Sequence, residues 1–547
     1  MIHTYLRRMA AIALACNLVV VMPSGLLAGQ TKDAAEAVET KTPIKHVIVI
    51  FGENISFDHY FATYPYATNP QGEPAFHAKD DTPRVDNLLS GGLLDENPNS
   101  TQPFRMDTGV ASVTCDQNHN YTPEQEAIDH GLMDKYPQST GSGSSSSSPC
   151  NDYGKGTGVV MGYFDGNTVQ AIWNYAQHFA MNDNAYGTTF GPSAPGAINL
   201  VAGNTDTATL FPTKPNGKAA SASGLIANGT EGATTGALIG DARPAGDDCV
   251  LTNPGLQTTN TVTMAGKNVG DLLNAKNITW GWFEGGFAPT GYDSMGRAIC
   301  GQHHVGLAGD DAVETVGDYI PHHEPFQFYA STQNLHHVRP SDPSLIGTSL
   351  DGANHQYDLT DFWTALGEDR LPAVTYLKAG AYQDAHPGYS DPIDEQNFVV
   401  TVINAIMNSP YWKDTAIFIN YDDSDGWYDH VLGPVVNQSA VTDDALAGAT
   451  DCGSATATTQ GRCGYGPRIP LMLISPYAKQ NYVDHRTADQ SSTLRFIEDN
   501  WDLGRIPGSS DAKAGTVNGM FDFDDGPIAR KLILDPATGV VLPHQPE

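Results

Sequence analysis

Apolar residues along this chain follow two rhythms. Short unbroken runs rich in β-branched residues predict strands buried on both faces: His46-Val-Ile-Val-Ile-Phe51, Ala373-Val-Thr-Tyr-Leu377, Thr415-Ala-Ile-Phe-Ile-Asn420 and Ile469-Pro-Leu-Met-Leu-Ile-Ser475. Elsewhere, three- and four-residue spacings predict amphipathic helices. Val169, Ile172, Trp173, Ala176 and Phe179 share one helical face, and Val399, Val402, Ile403 and Ile406 share another. Ser491 to Trp501 reads as a third helix. Buried strands alternating with such helices predict an α/β fold, with a mostly parallel sheet flanked by helices on both faces.

Other stretches depart from these rhythms. Arg7 and Arg8 precede an apolar run from Met9 to Val21, and small residues surround Ala28. The run is too short to span a bilayer comfortably, and Pro23 and Gly25 follow it, so residues 1–28 read as a cleaved signal peptide. The expectation is an exported protein, periplasmic or secreted, with no integral membrane segment in the mature chain. Residues 29–43 are polar and patternless, an expected flexible tail. The catalytic domain is then expected over 44–547, with insertions near 139–149, rich in Ser and Gly, and over 202–262, rich in Gly, Ala, Thr and Asn. These insertions are expected to cap the site.

Six of the seven cysteines lie beyond residue 28. Behind a signal peptide they predict disulfides, and sequence order favours Cys115–Cys150, Cys249–Cys300 and Cys452–Cys463. The formal net charge is −33. Such a field opposes encounter with nucleic acid or an anionic membrane surface, so neither is an expected partner. A phosphate ester would need a local positive charge to enter it, and a bound cation supplies one.

The polar residues that carry chemistry follow the strands. The first run leads into Glu53 and Asn54, and the run ending at Asn420 leads into Asp422 and Asp423. In open α/β sheets ligands bind outside the carboxyl ends of strands. Hard oxygen donors from two such ends suit a divalent metal ion. Taken singly, Asn54 is an ordinary helix N-cap and the two aspartates an ordinary turn. Their occurrence at matching strand ends favours the metal.

Longer motifs add to this. Ile44-Lys-His-Val-Ile-Val-Ile-Phe-Gly-Glu-Asn-Ile-Ser-Phe-Asp-His-Tyr-Phe61 resembles the opening motif of the phosphoesterase family that contains bacterial phospholipases C and acid phosphatases, within the alkaline-phosphatase-like group of folds. The resemblance continues in order through Met161–Gly166, Phe190-Gly-Pro-Ser-Ala-Pro195, Tyr319-Ile-Pro-His-His-Glu-Pro-Phe326, His386-Pro387, Tyr421-Asp-Asp-Ser-Asp-Gly-Trp-Tyr-Asp-His-Val431, Gly466–Pro470 and Asp484–Trp501. It implies that Glu53, Asn54, Asp422 and Asp423 hold the metal together with Ser193, and that Ser193 is the nucleophile, with Thr188 and Thr189 as rivals. It also implies that His119, His322, His323 and His386 contact phosphate oxygens or protonate the leaving alkoxide. One departure stands out: relatives often carry Asn-Arg after the second proline, where this chain has Gly196-Ala197. The implied activity is metal-dependent hydrolysis of phosphate monoesters, of acid-phosphatase type. The alternative is a phospholipase C acting on phospholipid diesters. Larger phospholipases of the family continue with extra domains beyond the Phe496–Trp501 region, whereas only a short stretch to Glu547 follows here, which favours the phosphatase.

Overall fold

The computed structural model describes residues 34–107, 114–142, 155–230, 232–305, 316–446, 452, 460–528 and 531–543. Its centre is an eight-stranded sheet. The strands are β1 (His46–Gly52), β2 (Ala180–Asn182), β3 (Trp280–Glu284), β4 (Gln356–Asp358), β5 (Val374–Lys378), β6 (Thr415–Tyr421), β7 (Leu471–Ile474) and β8 (Tyr482–Asp484). In space they run β4-β3-β5-β1-β6-β7-β2-β8. Neighbours are parallel except at β7, which is antiparallel to both β6 and β2. The expected mostly parallel sheet is therefore present.

Every residue of β1, β5 and β6 is buried. Successive side chains of a strand point to opposite faces, so both faces of the sheet are covered. The cover comes from α1 (Gln170–His178), α2 (Ser193–Ala202), α3 (Leu359–Gly367), α4 (Pro392–Asn408) and α5 (Gln490–Asn500). α2 packs against α5, and α1 packs against α4. Local chemistry sets their starts. Asp391 accepts from the Ile393 and Asp394 N–H groups ahead of α4, with Pro392 in the first turn where its missing N–H is harmless. Asp489 and Ser492 cap α5 reciprocally.

A second, five-stranded sheet is built from Ala208–Leu210, Ile226–Ala227, Thr235–Leu238, Arg243–Pro244 and Thr261–Met264. It accounts for most of the expected 202–262 insertion. Its strands, two to four residues long, are too short to show a period in the sequence. The Arg243–Pro244 strand packs on the turn Pro321–His323, which brings the insertion to the carboxyl edge of the main sheet.

The expected signal peptide, residues 1–28, and most of the expected 139–149 insertion lie outside the described residues. Within the expected 29–43 tail, residues 34–43 are held down. Lys41 N–H donates to Asn500 O at 2.8 Å and Thr42 Oγ1 to Asn500 Oδ1 at 2.7 Å, so this polar stretch is anchored to the end of α5. Cys249–Cys300 and Cys452–Cys463 are bonded as expected. The third expected pair involves Cys150, outside the described residues. Among the described residues no helix is long and apolar enough to cross a membrane.

Candidate active site

Strand register builds the site. β1 and β6 pair in parallel with Gly52 opposite Tyr421, so the residues that follow, Glu53 and Asp422, emerge side by side. Asn54 adopts a left-handed backbone (φ 61°), a conformation that Asn tolerates better than most residues. There its N–H donates to Asp422 Oδ1 at 2.7 Å and its Nδ2 to Asp425 Oδ1 at 2.9 Å. Asn54 is not the cap of the next helix: Ser56 fills that role by accepting from His59 N–H. The Asp422 turn is closed by its own carboxylate, since Oδ1 also accepts from Asp423 N–H at 2.7 Å.

Ser193 arrives from a third direction, as the first residue of α2. Its Oγ donates to Asp423 Oδ2 at 3.3 Å, in a buried setting. Two features hold α2 in place. Asp241 Oδ1 accepts from Ala194 N–H at 2.9 Å in the first turn. Gly196 then packs so closely on Asp422 that an added Cβ would lie 2.1 Å from its carbonyl oxygen. The rival hydroxyls are engaged elsewhere: Thr188 Oγ1 donates to Asp489 at 2.7 Å, and Thr189 Oγ1 accepts from Asn199 at 3.0 Å. Glu124 ties the two loops together, accepting from Ser424 Oγ at 2.6 Å and from Gly191 N–H at 2.9 Å.

The structure thus brings Glu53, Asn54, Asp422, Asp423 and Ser193 to one place. Both Glu53 oxygens, Asn54 Oδ1 and Asp422 Oδ2 are buried and accept no hydrogen bond from the described residues. Buried acceptors without donors are expensive, about 1–3 kcal/mol each and more when charged. Burial first, and then the Asp422 charge, push Glu53 and Asp423 well above the ordinary carboxylate range. Asp422 moves the other way: burial is outweighed by the neighbouring Glu53 and Ser193 and by two backbone N–H groups. A hard-oxygen donor set in this condition fits a divalent cation.

Four imidazoles curve around the cluster. Ring centroids are 6.1 Å apart for His119 and His386, 6.4 Å for His386 and His323, and 4.3 Å for His323 and His322. His119 Nδ1 donates to Gln117 O at 2.9 Å and lies 3.1 Å from Asp425 Oδ1. Burial opposes its charged form, but Asp423, Asp116 and Asp425 raise its pKa well above the usual histidine value. His386 Nδ1 donates to Pro387 O, and His322 Nε2 lies 3.7 Å from Asp241 Oδ2. His323 is the deepest, with Nε2 3.3 Å from Glu53 Oε2, and burial and the nearby Lys378 hold it well below the usual value. His119, His322 and His386 line a cavity of about 700 Å³, together with Asp241, Arg243 and Tyr389.

The sequence reading missed several neighbours. Lys378 ends β5, its Nζ 2.7 Å from Asp384 and 3.4 Å from Glu53, so it is the fixed cation behind the cluster. Its signal was its place directly after a predicted strand. Asp425 lies inside the Tyr421–Val431 motif and Asp384 two residues before His386, neither with a signal of its own. Asp241 and Arg243 come from the patternless insertion, where no sequence signal marks them. His430 and Arg468, matched by motif but not assigned to the site, form a separate buried network: His430 Nδ1 is 2.6 Å from Asp58, and Arg468 Nε is 2.8 Å from Asp429.

Known proteins resemble this chain over most of its length. The model of the phosphoesterase family matches residues 44–504. The chain belongs to the phosphoesterase family. A non-hemolytic phospholipase C of Burkholderia pseudomallei is 24% identical over 471 residues, which cover 83% of this chain and 55% of that protein. Phospholipase C A of Mycobacterium tuberculosis is 20% identical over 516 residues, covering 92% of this chain and 82% of that one. The chain therefore spans about half the length of the first phosphoesterase relative and most of the second. A solved structure from Vibrio parahaemolyticus, described as a protein in the alkaline phosphatase superfamily, overlaps 84% of this chain and 91% of its own. That overlap is at 11% identity with a TM-score of 0.27, too low to bear on the fold, which stands on the sheet itself.

Proposed function

We propose that this phosphoesterase hydrolyses phosphate monoesters through Ser193, with a divalent metal ion held by Glu53, Asn54, Asp422, Asp423 and the Ser193 hydroxyl. One observation carries the reading: the Ser193 hydroxyl, at the first turn of a firmly seated helix, meets Asp423 in a buried cluster where both Glu53 oxygens, Asn54 Oδ1 and Asp422 Oδ2 have no hydrogen-bond donor among the described residues. A serine hydroxyl is a weak nucleophile at neutral pH, and a cation bound beside it lowers its pKa and offsets charge on the phosphoryl oxygens. Ser193 Oγ attacks phosphorus as the bond to the alcohol oxygen breaks. An imidazole from among His119, His322 and His386, the three that line the cavity, gives its proton to the departing alkoxide, with His323 set behind them against Glu53. Water then displaces Ser193 from phosphorus and releases phosphate.

The cavity over the histidines supports a small polar ester, because most of its described lining is polar: Asp116, Asn118, Asn120, Asp241, Arg243 and Asn253. The second reading is a phospholipase C, and the phospholipase C relatives favour it. In that case the same attack by Ser193 expels a diacylglycerol. The amino-terminal sequence pattern and the two disulfides support export to an oxidising compartment, periplasmic or extracellular. Release of phosphate from p-nitrophenyl phosphate, measured beside release of phosphocholine from phosphatidylcholine, separates the two readings. The first is expected to dominate; phosphocholine release without phosphate release overturns the monoester assignment.

A further inference from the structure

The cavity over the four histidines contains a cationic side chain that the reaction above does not use. Arg243 belongs to the inserted sheet, packs on the Pro321–His323 turn and lines the cavity beside His322, His386 and Tyr389. Its Nε and Nη1 are buried and donate to no acceptor among the described residues. The nearby carboxylate is no substitute for an acceptor. Asp241 Oδ1 already receives Ala194 N–H, and Oδ2 lies toward His322 Nε2. Burial pulls the Arg243 pKa down, and Asp241 only partly opposes this.

A guanidinium presents five donors in a planar fork that matches a carboxylate or phosphate. Two of those donors held in a buried setting without acceptors are unfavourable unless a ligand completes them. In the proposed reaction the phosphoryl group under attack is met from other elements: the metal site at the ends of β1 and β6, the start of α2 and the histidine loops. Arg243 stands apart, on the wall contributed by the insertion. In a chain of net charge −33, an anion must be recognised by such a local group.

We propose that Arg243 forms a subsite for a second anionic group, a carboxylate or a further phosphate, on the organic part of the ester. The inference rests on the phosphoester reading of the same cavity. It makes phosphate esters bearing another negative charge the preferred substrates.

The test is equilibrium titration of the metal-loaded full chain, and of Arg243→Met and Arg243→Lys, with ω-carboxyalkylphosphonates of increasing chain length and the matching alkylphosphonates. In the unmodified protein the best carboxylated probe is expected to bind about tenfold tighter than its alkyl partner, the scale of one charge-assisted bidentate contact. Arg243→Met is expected to bring the two within about twofold of each other, and Arg243→Lys to keep part of the preference, because lysine supplies charge without the fork. Absence of a preference in the unmodified protein, or its persistence in Arg243→Met, overturns the subsite. An equal loss for both probe series places Arg243 on the phosphoryl group itself and also overturns it. Failure of both series to bind overturns both readings. A clear preference in a protein that releases no phosphate from any monoester refutes the proposed activity and leaves the subsite standing.

Discussion

Gly196 separates two accounts of the nucleophile helix. Intrinsic propensity favours alanine over glycine inside a helix by about 1 kcal/mol, so Gly196→Ala should stabilise α2 if only local structure matters. The tertiary packing says otherwise. A Cβ at this position would sit 2.1 Å from the Asp422 carbonyl oxygen, 2.7 Å from its carbonyl carbon and 3.0 Å from its Cα. All three are backbone atoms of the turn that delivers Asp422 and Asp423, so no rotamer relieves the clash. Restoring van der Waals separation requires α2 and the Asp422 turn to part by roughly 1 Å. That movement draws Ser193 Oγ from its 3.3 Å contact with Asp423. A misplacement of about 1 Å at a reacting group lowers turnover by about 100-fold, equivalent to about 2.7 kcal/mol in the barrier. The assay is kcat on p-nitrophenyl phosphate with metal content measured on the same sample, beside an unfolding curve to show that the variant is folded. Unchanged kcat in a folded Gly196→Ala protein would refute the reasoning. The same contact gives a physical reason for Gly196: the helix approaches too closely for any side chain.

Other consequences can be checked with similar economy. The double variant Asp422→Ala/Asp423→Ala is expected to lose bound divalent metal on elemental analysis, and equal metal content in variant and parent would exclude these ligands. His430 gives a pH signature. Burial disfavours its charge, but Asp58 at 2.6 Å and Asp86 raise its pKa to about 10, with Arg468 opposing. Because the folded value lies above the ordinary 6.5, the stabilisation is complete below about pH 6.5 and is lost as pH rises toward about 10. His430→Gln is expected to lose about 3 kcal/mol at neutral pH, counted once for the Asp58–His430 pair, and to flatten the alkaline decline in urea unfolding. Parallel pH profiles for the two proteins would contradict this.

Buried polar neighbours show where sequence stops informing. β1 and β6 were legible because unbroken apolar runs have few other meanings, and Glu53, Asn54, Asp422 and Asp423 followed from their ends. The strands Ala180–Asn182 and Tyr482–Asp484 are three residues long, below the length at which any period shows. Trp280–Glu284 carries a glycine and ends in a buried carboxylate, which breaks the apolar run. Lys378 was hidden for a different reason. A buried lysine is intelligible only beside Asp384 and Glu53, and pairing across sheet neighbours is a tertiary fact. The same holds for Arg243, which reaches the cavity through a sheet whose short strands leave no pattern in the chain. In the sequence only motif order links Ser193 to Asp422 and Asp423; in the structure α2 and the Asp422 turn are in contact.

The central claim is that Ser193 carries the phosphoryl group during turnover. Quenching the enzyme in acid while it hydrolyses a phosphate monoester, followed by peptide mass spectrometry, tests this directly, because phosphoserine survives acid. The account predicts phosphate on Ser193 in the quenched enzyme, its absence in Ser193→Ala together with loss of hydrolysis, and retention of configuration at phosphorus from two in-line displacements. An unmodified Ser193 peptide with inversion at phosphorus, or near-normal hydrolysis by Ser193→Ala, would contradict it.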